Sequence, residues 1–346
     1  MTTASEVIEN IQNIAPLYPP NTFYDIIKNI YLFPRTDGTW LPLNETQIKR
    51  HLKALGYRSE ADRTELVSPS DNALNEIQMK AGVDYSGPLA GRMAGFYKMQ
   101  GHPVLVTTSP NIITPTPGAC PTIINLIKSL LDDEKNMQRE RFLAWLKIFL
   151  EGLYTNIPRS GQALILAGPH DCGKSLLQLL LTVILGGRAA RPYQFAMGGT
   201  NFNADLLQAE HLQIEDEAPS TDMRSRRTFG VFLKGIAANS VHRLHGKNKD
   251  AITLEPHWRA SVSVNDEPEH LLVLPPLDET LIDKLLVFKC SPPERPFNDG
   301  SRDGRKAYWD QLIAELPAFI YHVMEFSIPD ELTCHRFGVK AFIVPV

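Results

Sequence analysis

The stretch from Ala163 to Leu185 constrains the fold of this chain more than any other. It contains an apolar run that ends at Ala167, then Gly-Pro-His-Asp-Cys-Gly-Lys-Ser from Gly168 to Ser175, and then a leucine-rich segment followed by two glycines. The apolar run is typical of a buried strand, and the leucine-rich segment is typical of a helix inside an α/β core. The sequence therefore predicts a strand, a glycine-bounded loop and a helix.

The spacing G-x-x-x-x-G-K-S suits the binding of phosphate groups. Two glycines let the backbone curl so that successive N–H groups point at phosphate oxygens, and the following helix presents its positive end to the anion. Lys174 is predicted to reach the β and γ phosphates of ATP, and Ser175 is predicted to offer its hydroxyl to Mg²⁺. The predicted nucleotide-binding residues are Gly168, Asp171, Cys172, Gly173, Lys174, Ser175 and Leu176.

Length, charge and cysteine content limit the class of protein. A chain of 346 residues is expected to form more than one domain, because one core rarely grows past about 250 to 300 residues. The formal net charge of -4 argues against a globally basic nucleic-acid coat. The four cysteines include no C-x-x-C pair, which disfavours a zinc site or a disulfide framework. No apolar run reaches the roughly 18 residues of a membrane span, so a cytoplasmic protein without membrane contact is expected.

The N-terminal third is expected to form a small α+β module. Residues 31–41 indicate two strands joined by an Asp37-Gly38 turn, and Asn44 begins a capping box before a helix. This unit either packs within the protein or contacts nucleic acid, and the absence of a basic surface favours packing. Residues 68–118 are rich in Pro, Gly, Ser and Asn and are predicted to be an irregular connector with local structure, in which 104–106 is the one clear strand-like run.

Two apolar helices are predicted between Pro121 and the phosphate loop. They form either a helical collar between subunits or part of the intramolecular core. The expected domains are the N-terminal module with its connector (1–115), the helical collar (116–159), a P-loop core (160–292) and a C-terminal helical extension (293–346).

Three consecutive carboxylates follow the strand-like run from His211 to Ile214. A nucleoside-triphosphate hydrolase needs such groups at the end of a second strand, one to hold Mg²⁺ through water and one to orient or deprotonate the attacking water. We assign Asp216 to the metal and Glu217 to the water. The alternative shifts the pair by one residue, to Glu215 and Asp216.

A further strand is predicted from Trp258 to Val264, and it ends at Asn265. An amide can hold a water molecule with one donor and one acceptor. As the third polar element in this series, Asn265 is expected to lie beside the γ-phosphate.

The order of phosphate loop, acidic pair, Lys-bearing segment and strand ending in Asn resembles a superfamily 3 helicase, in particular the ATPase module of primase-helicases from viruses, phages and plasmids. In that family a helix with a Lys precedes a hairpin whose tip grips single-stranded DNA in a central pore. Here Lys234 matches the helix, and residues 241–252 match the hairpin. The predicted DNA-binding residues are Arg243, His245, Lys247 and Lys249.

The resemblance implies an α/β, AAA+-like P-loop core with a parallel sheet. It also implies a homo-oligomer, a hexameric ring, that hydrolyses ATP while it moves on single-stranded DNA during replication of a mobile element. The basic cluster at residues 242–249 independently indicates anion binding on a slightly acidic chain. A nucleotide-gated assembly protein and an AAA-type protein remodeller remain as alternatives.

One position departs from the family pattern. Members carry an arginine finger after the strand that ends in Asn, and it stabilises charge on the nucleotide of the neighbouring subunit. Lys284 stands at that place here. Lysine lacks the planar fork of arginine, so either Lys284 serves with lower efficiency, or hydrolysis is slow, or another cation takes the role. The other candidates are Arg224, Arg226, Arg227 and Arg259.

Overall fold

The computed structural model describes residues 21–133, 137–215, 222–244, 252–294, 297 and 299–344. Over these residues the chain divides into two units. The first unit contains the described residues up to 109 together with 243–244 and 252–254, and the second contains the remainder.

The first unit has two small sheets and two helices in its continuous part. Its elements are β1 (Phe23–Asp25), β2 (Ile30–Pro34), β3 (Trp40–Leu43), α1 (Glu45–Ala54), α2 (Pro69–Lys80), β4 (Gly82–Val83), β5 (Tyr85–Gly87), β6 (Gly95–Met99) and β7 (His102–Val106). One sheet has the strand order β3-β2-β1-β4 and the other has the order β5-β7-β6. Helices α1 and α2 contribute Ile48, Leu52, Leu74 and Ile77 to a core shared with Tyr31.

The predicted hairpin and capped helix are confirmed, but the connector differs from the expectation. Strands β2 and β3 are antiparallel, and Asn44 and Gln47 form a capping box at the start of α1. The stretch 68–118 contains α2 and four short strands. Strand β7 confirms the strand-like run predicted at 104–106, whereas α2 and the other three strands lie where the sequence predicts irregular structure. Ser68 caps α2 through the backbone N–H of Asp71. Strands β4, β5 and β6 are short and include glycine, so they carry no alternating apolar pattern that a sequence could reveal.

The chain continues into the larger unit. Its helices are α3 (Pro121–Leu130), α4 (Met137–Thr155), α5 (Lys174–Leu185), α6 (Tyr193–Ala196), α7 (Met223–Ala238), α8 (Pro268–Leu271), α9 (Glu279–Ile282) and α10 (Arg302–Glu325). The strands of the larger unit are β8 (Ala163–Ala167), β9 (Ala189–Ala190), β10 (His211–Ile214), β13 (Arg259–Val264), β14 (Leu285–Lys289), β15 (Thr333–Cys334), β16 (Gly338–Val339) and β17 (Phe342–Ile343). Between β10 and β13 in the chain lie β11 (His242–Leu244), which begins in the larger unit and continues into the first, and β12 (Ile252–Leu254) of the first unit.

The expected parallel sheet is present. Six strands lie in the order β17-β14-β8-β13-β10-β9, and every pairing between them is parallel. Strand β8 is buried along its whole length, which explains why it has a continuous apolar run rather than an alternating one. In this order β13 lies between β8 and β10, so the residues that follow these strands meet at one edge of the sheet.

The apolar faces of α3 and α4 are buried inside the larger unit. Leu126 of α3 and Phe149 of α4 belong to the same core as Leu166 of β8 and Phe319 of α10. The intramolecular packing that the sequence left open is therefore observed for these faces, and a collar between subunits remains a prediction. The segment after residue 293 contains α10 but also three short strands, of which β17 joins the parallel sheet.

Glu315 of α10 fixes the start of α3. Its carboxylate accepts hydrogen bonds from the backbone N–H of Thr122 at 2.8 Å and of Ile123 at 3.1 Å, and from the Thr122 hydroxyl at 2.6 Å. The capping position, Cys120, provides no side-chain hydrogen bond to α3. Burial alone would raise the pKa of Glu315, but the hydrogen bonds from Thr122, Gln311 and Ile123 outweigh it and hold the pKa below the ordinary value of 4.5.

Replacing Glu315 by glutamine is expected to lower the free energy of unfolding by about 1 to 3 kcal/mol near neutral pH. Because the carboxyl pKa is lower in the folded protein, its stabilisation is present above about pH 4.5 and is lost as the pH falls through the folded value. Denaturant unfolding of wild type and Glu315→Gln at about pH 7 and about pH 4 measures this. The difference should shrink in acid. A pH-independent difference, or an equal effect of the exposed-site control Glu331→Gln, would contradict the account.

Candidate nucleotide-binding site

The loop between β8 and α5 adopts a conformation that depends on its glycines. Asp171 and Gly173 have positive φ angles of 57° and 109°. A Cβ atom at Gly168 would lie 2.4 Å from the carbonyl oxygen of Cys290, so no side chain fits there. Helix α5 begins directly after Gly173, and its first turn presents backbone N–H groups that have no partner within the helix. The loop and helix together form a place that can bind an anion.

The side chain of Lys174 is buried in the middle of this loop. Its Nζ donates to the carbonyl oxygens of Gly168 at 2.6 Å and Pro169 at 2.7 Å, and to Oδ1 of Asn265 at 3.1 Å. Ser175 is exposed in the first turn of α5, where its hydroxyl is free of the packed core. An ammonium group, backbone N–H groups and a hydroxyl therefore lie within one short segment, as the sequence predicts.

The ends of β13 and β10 bring two more polar residues to this edge of the sheet. Asn265 directly follows β13, whose last residue Val264 pairs with Ala167 at the end of β8. Glu215 directly follows β10, and its carboxylate accepts from Gln213 and, at 3.5 Å, from Arg191.

The preferred acidic pair, Asp216 and Glu217, lies outside the described residues. Glu215, which belongs to the alternative pair, is therefore the one carboxylate of the cluster that the structure describes. Its side-chain oxygens and the Ser175 hydroxyl are of the kind that Mg²⁺ prefers. No group of three or more His, Cys, Asp or Glu side chains that could hold a metal occurs within the described ranges.

A buried polar network that the sequence analysis missed fixes α5 to the sheet. Gln178 donates to the carbonyl oxygen of Ile214 at 3.2 Å and to the hydroxyl of Ser261 at 2.8 Å. His211 contacts the hydroxyls of Thr182 at 2.7 Å and Ser261 at 2.7 Å, and burial lowers its pKa to about 3, so that the imidazole is neutral. In the sequence, the signal that could have revealed this network is the presence of polar residues such as Gln178 and His211 in otherwise apolar segments. The network connects α5, which follows the phosphate loop, to β10 and β13.

Two free cysteine thiols form a hydrogen bond at the phosphate loop. Cys172 of the loop and Cys290, directly after β14, are both buried. A hydrogen bond from the Cys290 thiol lowers the pKa of Cys172 and raises that of Cys290. The Nζ of Lys174 lies 3.9 Å from the Cys172 sulfur. The scattered positions of the cysteines in the sequence give no sign of this contact.

The candidates for the arginine-finger role, a cation that acts on the nucleotide of the neighbouring subunit, differ sharply in exposure. Lys284 is buried, and its Nζ donates to the carbonyl oxygen of Thr280 at 2.7 Å and contacts Oδ1 of Asp283 at 2.5 Å, both in its own chain. Arg259 is also buried, and burial lowers its pKa to about 9. The contacts of Lys284 and the burial of both side chains disfavour Lys284 and Arg259 as cations that reach a neighbouring subunit.

The arginines of α7 are more accessible. Arg226 donates through Nε to the carbonyl oxygen of Leu274 at 3.0 Å. Arg224 and Arg227 are exposed.

The predicted DNA-binding hairpin is described only in part. Strands β11 and β12 form a two-stranded sheet, and Arg243 is exposed on β11. His242 packs edge-on against Trp258 with ring centroids 4.5 Å apart. His245, Lys247 and Lys249 lie outside the described residues.

Within the described part of the chain, no helix has the length and apolar character needed to cross a membrane.

Comparison with known proteins finds similarity in fold and not in sequence. No family profile and no curated protein matches the chain. An apo structure of the NrS-1 C-terminal region matches with a TM-score of 0.60 at 16% identity, covering 89% of this chain and 67% of that chain. The A-form apo structure of this region matches with a TM-score of 0.58 at 14% identity and covers 89% of this chain and 66% of that chain.

Helicases are also among the matched structures. The active helicase Cch of SCCmec type IV matches over 88% of this chain and 58% of that chain, with a TM-score of 0.40 at 9% identity. A score this low gives no argument about the present chain. The chain spans about two thirds of the matched NrS-1 region. At these identities the similarity concerns the fold, and the chain shares the fold of the NrS-1 C-terminal region.

Proposed function

We propose that this chain is an ATP-dependent DNA helicase or translocase of the superfamily 3 type. In this proposal it works as a hexameric ring on single-stranded DNA in the replication of a mobile element. The observation that carries the proposal is the position of the Lys174 ammonium, which bonds both to the phosphate loop and to Asn265 at the edge of a parallel sheet. In P-loop NTPases the loop lysine cradles the β and γ phosphates, and here the Lys174 contact also brings Asn265 to the same place.

Each residue at this edge has a distinct chemical task. The N–H groups at the start of α5 bind phosphate oxygens, and Lys174 neutralises charge that develops on the β and γ phosphates. Ser175 and Asp216 would hold Mg²⁺, which would supply positive charge against the phosphoryl group. Glu217 orients or deprotonates the attacking water, and the Asn265 amide holds that water in line.

The buried network around Gln178 supports this assignment. Hydrolysis requires the acidic pair and Asn265 to hold fixed positions relative to the phosphates, because small displacements of reacting groups cost large factors in rate. Gln178 lies on the helix that starts at Lys174 and bonds directly to the last residue of β10 and to Ser261 of β13. Gln178 thus connects the helix that begins at Lys174 to both strands that lead to the proposed catalytic residues.

The proposed output of hydrolysis is movement of the basic hairpin between β11 and β12. Lys247 and Lys249 are assigned to the phosphates of single-stranded DNA, with Arg243 exposed at the base of the hairpin. The trans-acting charge on the neighbouring nucleotide is assigned to the α7 arginines, of which Arg224 and Arg227 are exposed, because Lys284 is buried and bonded within its own chain.

The direct test of this function is ATP turnover by the purified chain with and without single-stranded DNA. We expect turnover that rises when single-stranded DNA is added. Ring formation with ATP and no DNA-stimulated turnover would favour a nucleotide-gated assembly protein, a reading that the burial of Lys284 also fits. Turnover that is indifferent to DNA would favour an AAA-type protein remodeller.

Replacing Lys247 and Lys249 together by alanine is expected to weaken binding to single-stranded DNA while nucleotide binding is unchanged. Loss of two phosphate contacts should make the slope of log affinity against log salt shallower by about 1.4. Fluorescence anisotropy over a salt series measures this slope. The double variant Arg305→Ala with Lys306→Ala, which removes two exposed charges from α10, is the matched control. An unchanged slope in the hairpin variant would move the DNA contact elsewhere.

A further inference from the structure

A cavity of about 520 Å³ opens in the larger unit beside the phosphate loop. Its walls come from α3, from the segment after β14 and from α10. The backbone N–H of Ser291 donates to the carbonyl oxygen of Leu130 at 3.0 Å, which joins the segment after β14 to the end of α3. Its lining includes Asn125, Lys128, Asp132, Glu294, Phe297 and Tyr308.

This cavity and the phosphate loop share a wall. A Cβ atom at Gly173 would lie 3.0 Å from Cε2 of Phe297 and 3.8 Å from Cδ1 of Leu130. The ring of Phe297 therefore contacts the glycine that immediately precedes Lys174 and the start of α5. A ligand anchored by its phosphates in the loop has this cavity directly beside it.

The chemistry of the cavity suits a flat, neutral, aromatic group with polar edges. Phe297 and Tyr308 stack with ring centroids 5.8 Å apart and an interplanar angle of 23°. Burial raises the pKa of Tyr308 to about 12, so its phenol is a neutral donor near neutral pH. Asn125 and the carboxylates of Asp132 and Glu294 can accept hydrogen bonds from ring or exocyclic N–H groups.

The charges at this cavity disfavour phosphate as its occupant. Asp132 and Glu294 carry two negative charges on its exposed rim, against the single positive charge of Lys128 among the lining residues. Phosphate groups are repelled from such a rim, whereas a nucleobase is not, because it is uncharged. The loop around Lys174, which is rich in donors, and the aromatic cavity thus select different parts of one ligand.

We propose that this cavity binds the nucleobase of the nucleotide whose phosphates occupy the loop, with the base stacked against the Phe297 and Tyr308 pair. This rests on the proposed function, since it assumes a nucleotide at the loop. The cavity then recognises the base, while the loop recognises the phosphates. Phe297 is the residue that distinguishes a nucleotide from a bare polyphosphate.

The test compares two ligands that differ only in the nucleoside, magnesium ATP and magnesium tripolyphosphate, by titration calorimetry. Wild type is expected to bind ATP more tightly than tripolyphosphate. Phe297→Ala should weaken ATP binding about tenfold, the loss typical of one base–aromatic stack, and leave tripolyphosphate binding unchanged. Phe297→Tyr should restore ATP affinity. Tyr321→Ala, which removes an exposed aromatic side chain from the same helix as Tyr308, is the control and should match wild type for both ligands.

Three results would overturn the proposal. Equal weakening of both ligands by Phe297→Ala would show that Phe297 only supports the loop, unchanged ATP binding would show that the base lies elsewhere, and equal affinity of wild type for both ligands would show that no base is recognised. The proposed function fails separately. Wild type that discriminates between the ligands but shows no DNA-stimulated turnover would contradict the helicase activity and leave the base site standing.

Discussion

Replacing Lys174 by alanine is expected to abolish DNA-stimulated ATP hydrolysis, with turnover reduced by about a hundredfold or more. The Nζ of Lys174 bonds to the carbonyl oxygen of Gly168 and to Asn265, so its charge lies where the loop meets the sheet edge. Alanine leaves the loop without the ammonium that the proposed mechanism places on the β and γ phosphates.

The measurement for Lys174→Ala is steady-state phosphate release with and without single-stranded DNA. Lys53→Ala removes an exposed ammonium from α1 and is expected to retain wild-type turnover. Circular dichroism and thermal unfolding of Lys174→Ala show whether the variant is folded, since the lost side chain is buried. A folded Lys174→Ala with wild-type turnover would refute the enzymatic function.

Replacing Asn265 by alanine is expected to separate nucleotide binding from hydrolysis. Asn265 is buried at the end of β13, and its Oδ1 accepts from Lys174 at 3.1 Å. The proposed mechanism uses its amide to hold the attacking water, a contact made only during hydrolysis, so turnover should fall by about a hundredfold. ATP affinity should change little, because the loop and α5 keep their N–H groups and the ammonium.

Turnover and calorimetric ATP affinity, measured on the same Asn265→Ala preparation, check this separation. Asn239→Ala is the matched control, since Asn239 also directly follows an element, α7, but is exposed. It is expected to behave as wild type in both measurements. Parallel losses of affinity and turnover in Asn265→Ala would instead assign Asn265 to holding Lys174 in place.

The phosphate loop and its flanking elements could be predicted because each depends on residues only a few positions apart. The apolar run gives β8, the glycines give the turn, and the leucine-rich segment gives α5, which ends at Leu185, directly before Gly186. The strands that precede Glu215 and Asn265 are also found where their apolar character indicates. In each case local propensity and burial favour the same structure.

Contacts between distant parts of the chain could not be predicted in this way. The pairing of Cys172 with Cys290, and the bond from Gln178 to Ser261, depend on which strands are neighbours in the sheet. Strand order is a property of the whole topology, and no short pattern contains it. Lys284 is an example. Its place in the family pattern suggests a cation that reaches a neighbouring subunit, but its side chain is buried.

The first unit shows a different limit. Its strands between residues 82 and 106 are two to five residues long and contain glycine and proline. Such strands are stabilised by the partners they pair with and not by an alternating pattern of their own. A composition rich in turn-forming residues therefore indicates a connector, although the stretch forms one sheet, β5-β7-β6, and adds β4 to another.

Electron cryomicroscopy of the chain with a non-hydrolysable ATP analogue and single-stranded DNA tests the central claim most directly. It reports the number of subunits, the contents of the pore and the cation that reaches each nucleotide from the neighbouring subunit. We predict a hexameric ring with nucleotide at each Lys174 loop and a DNA strand contacted by the hairpins that carry Lys247. A nucleotide-bound assembly without DNA in a central pore would contradict it.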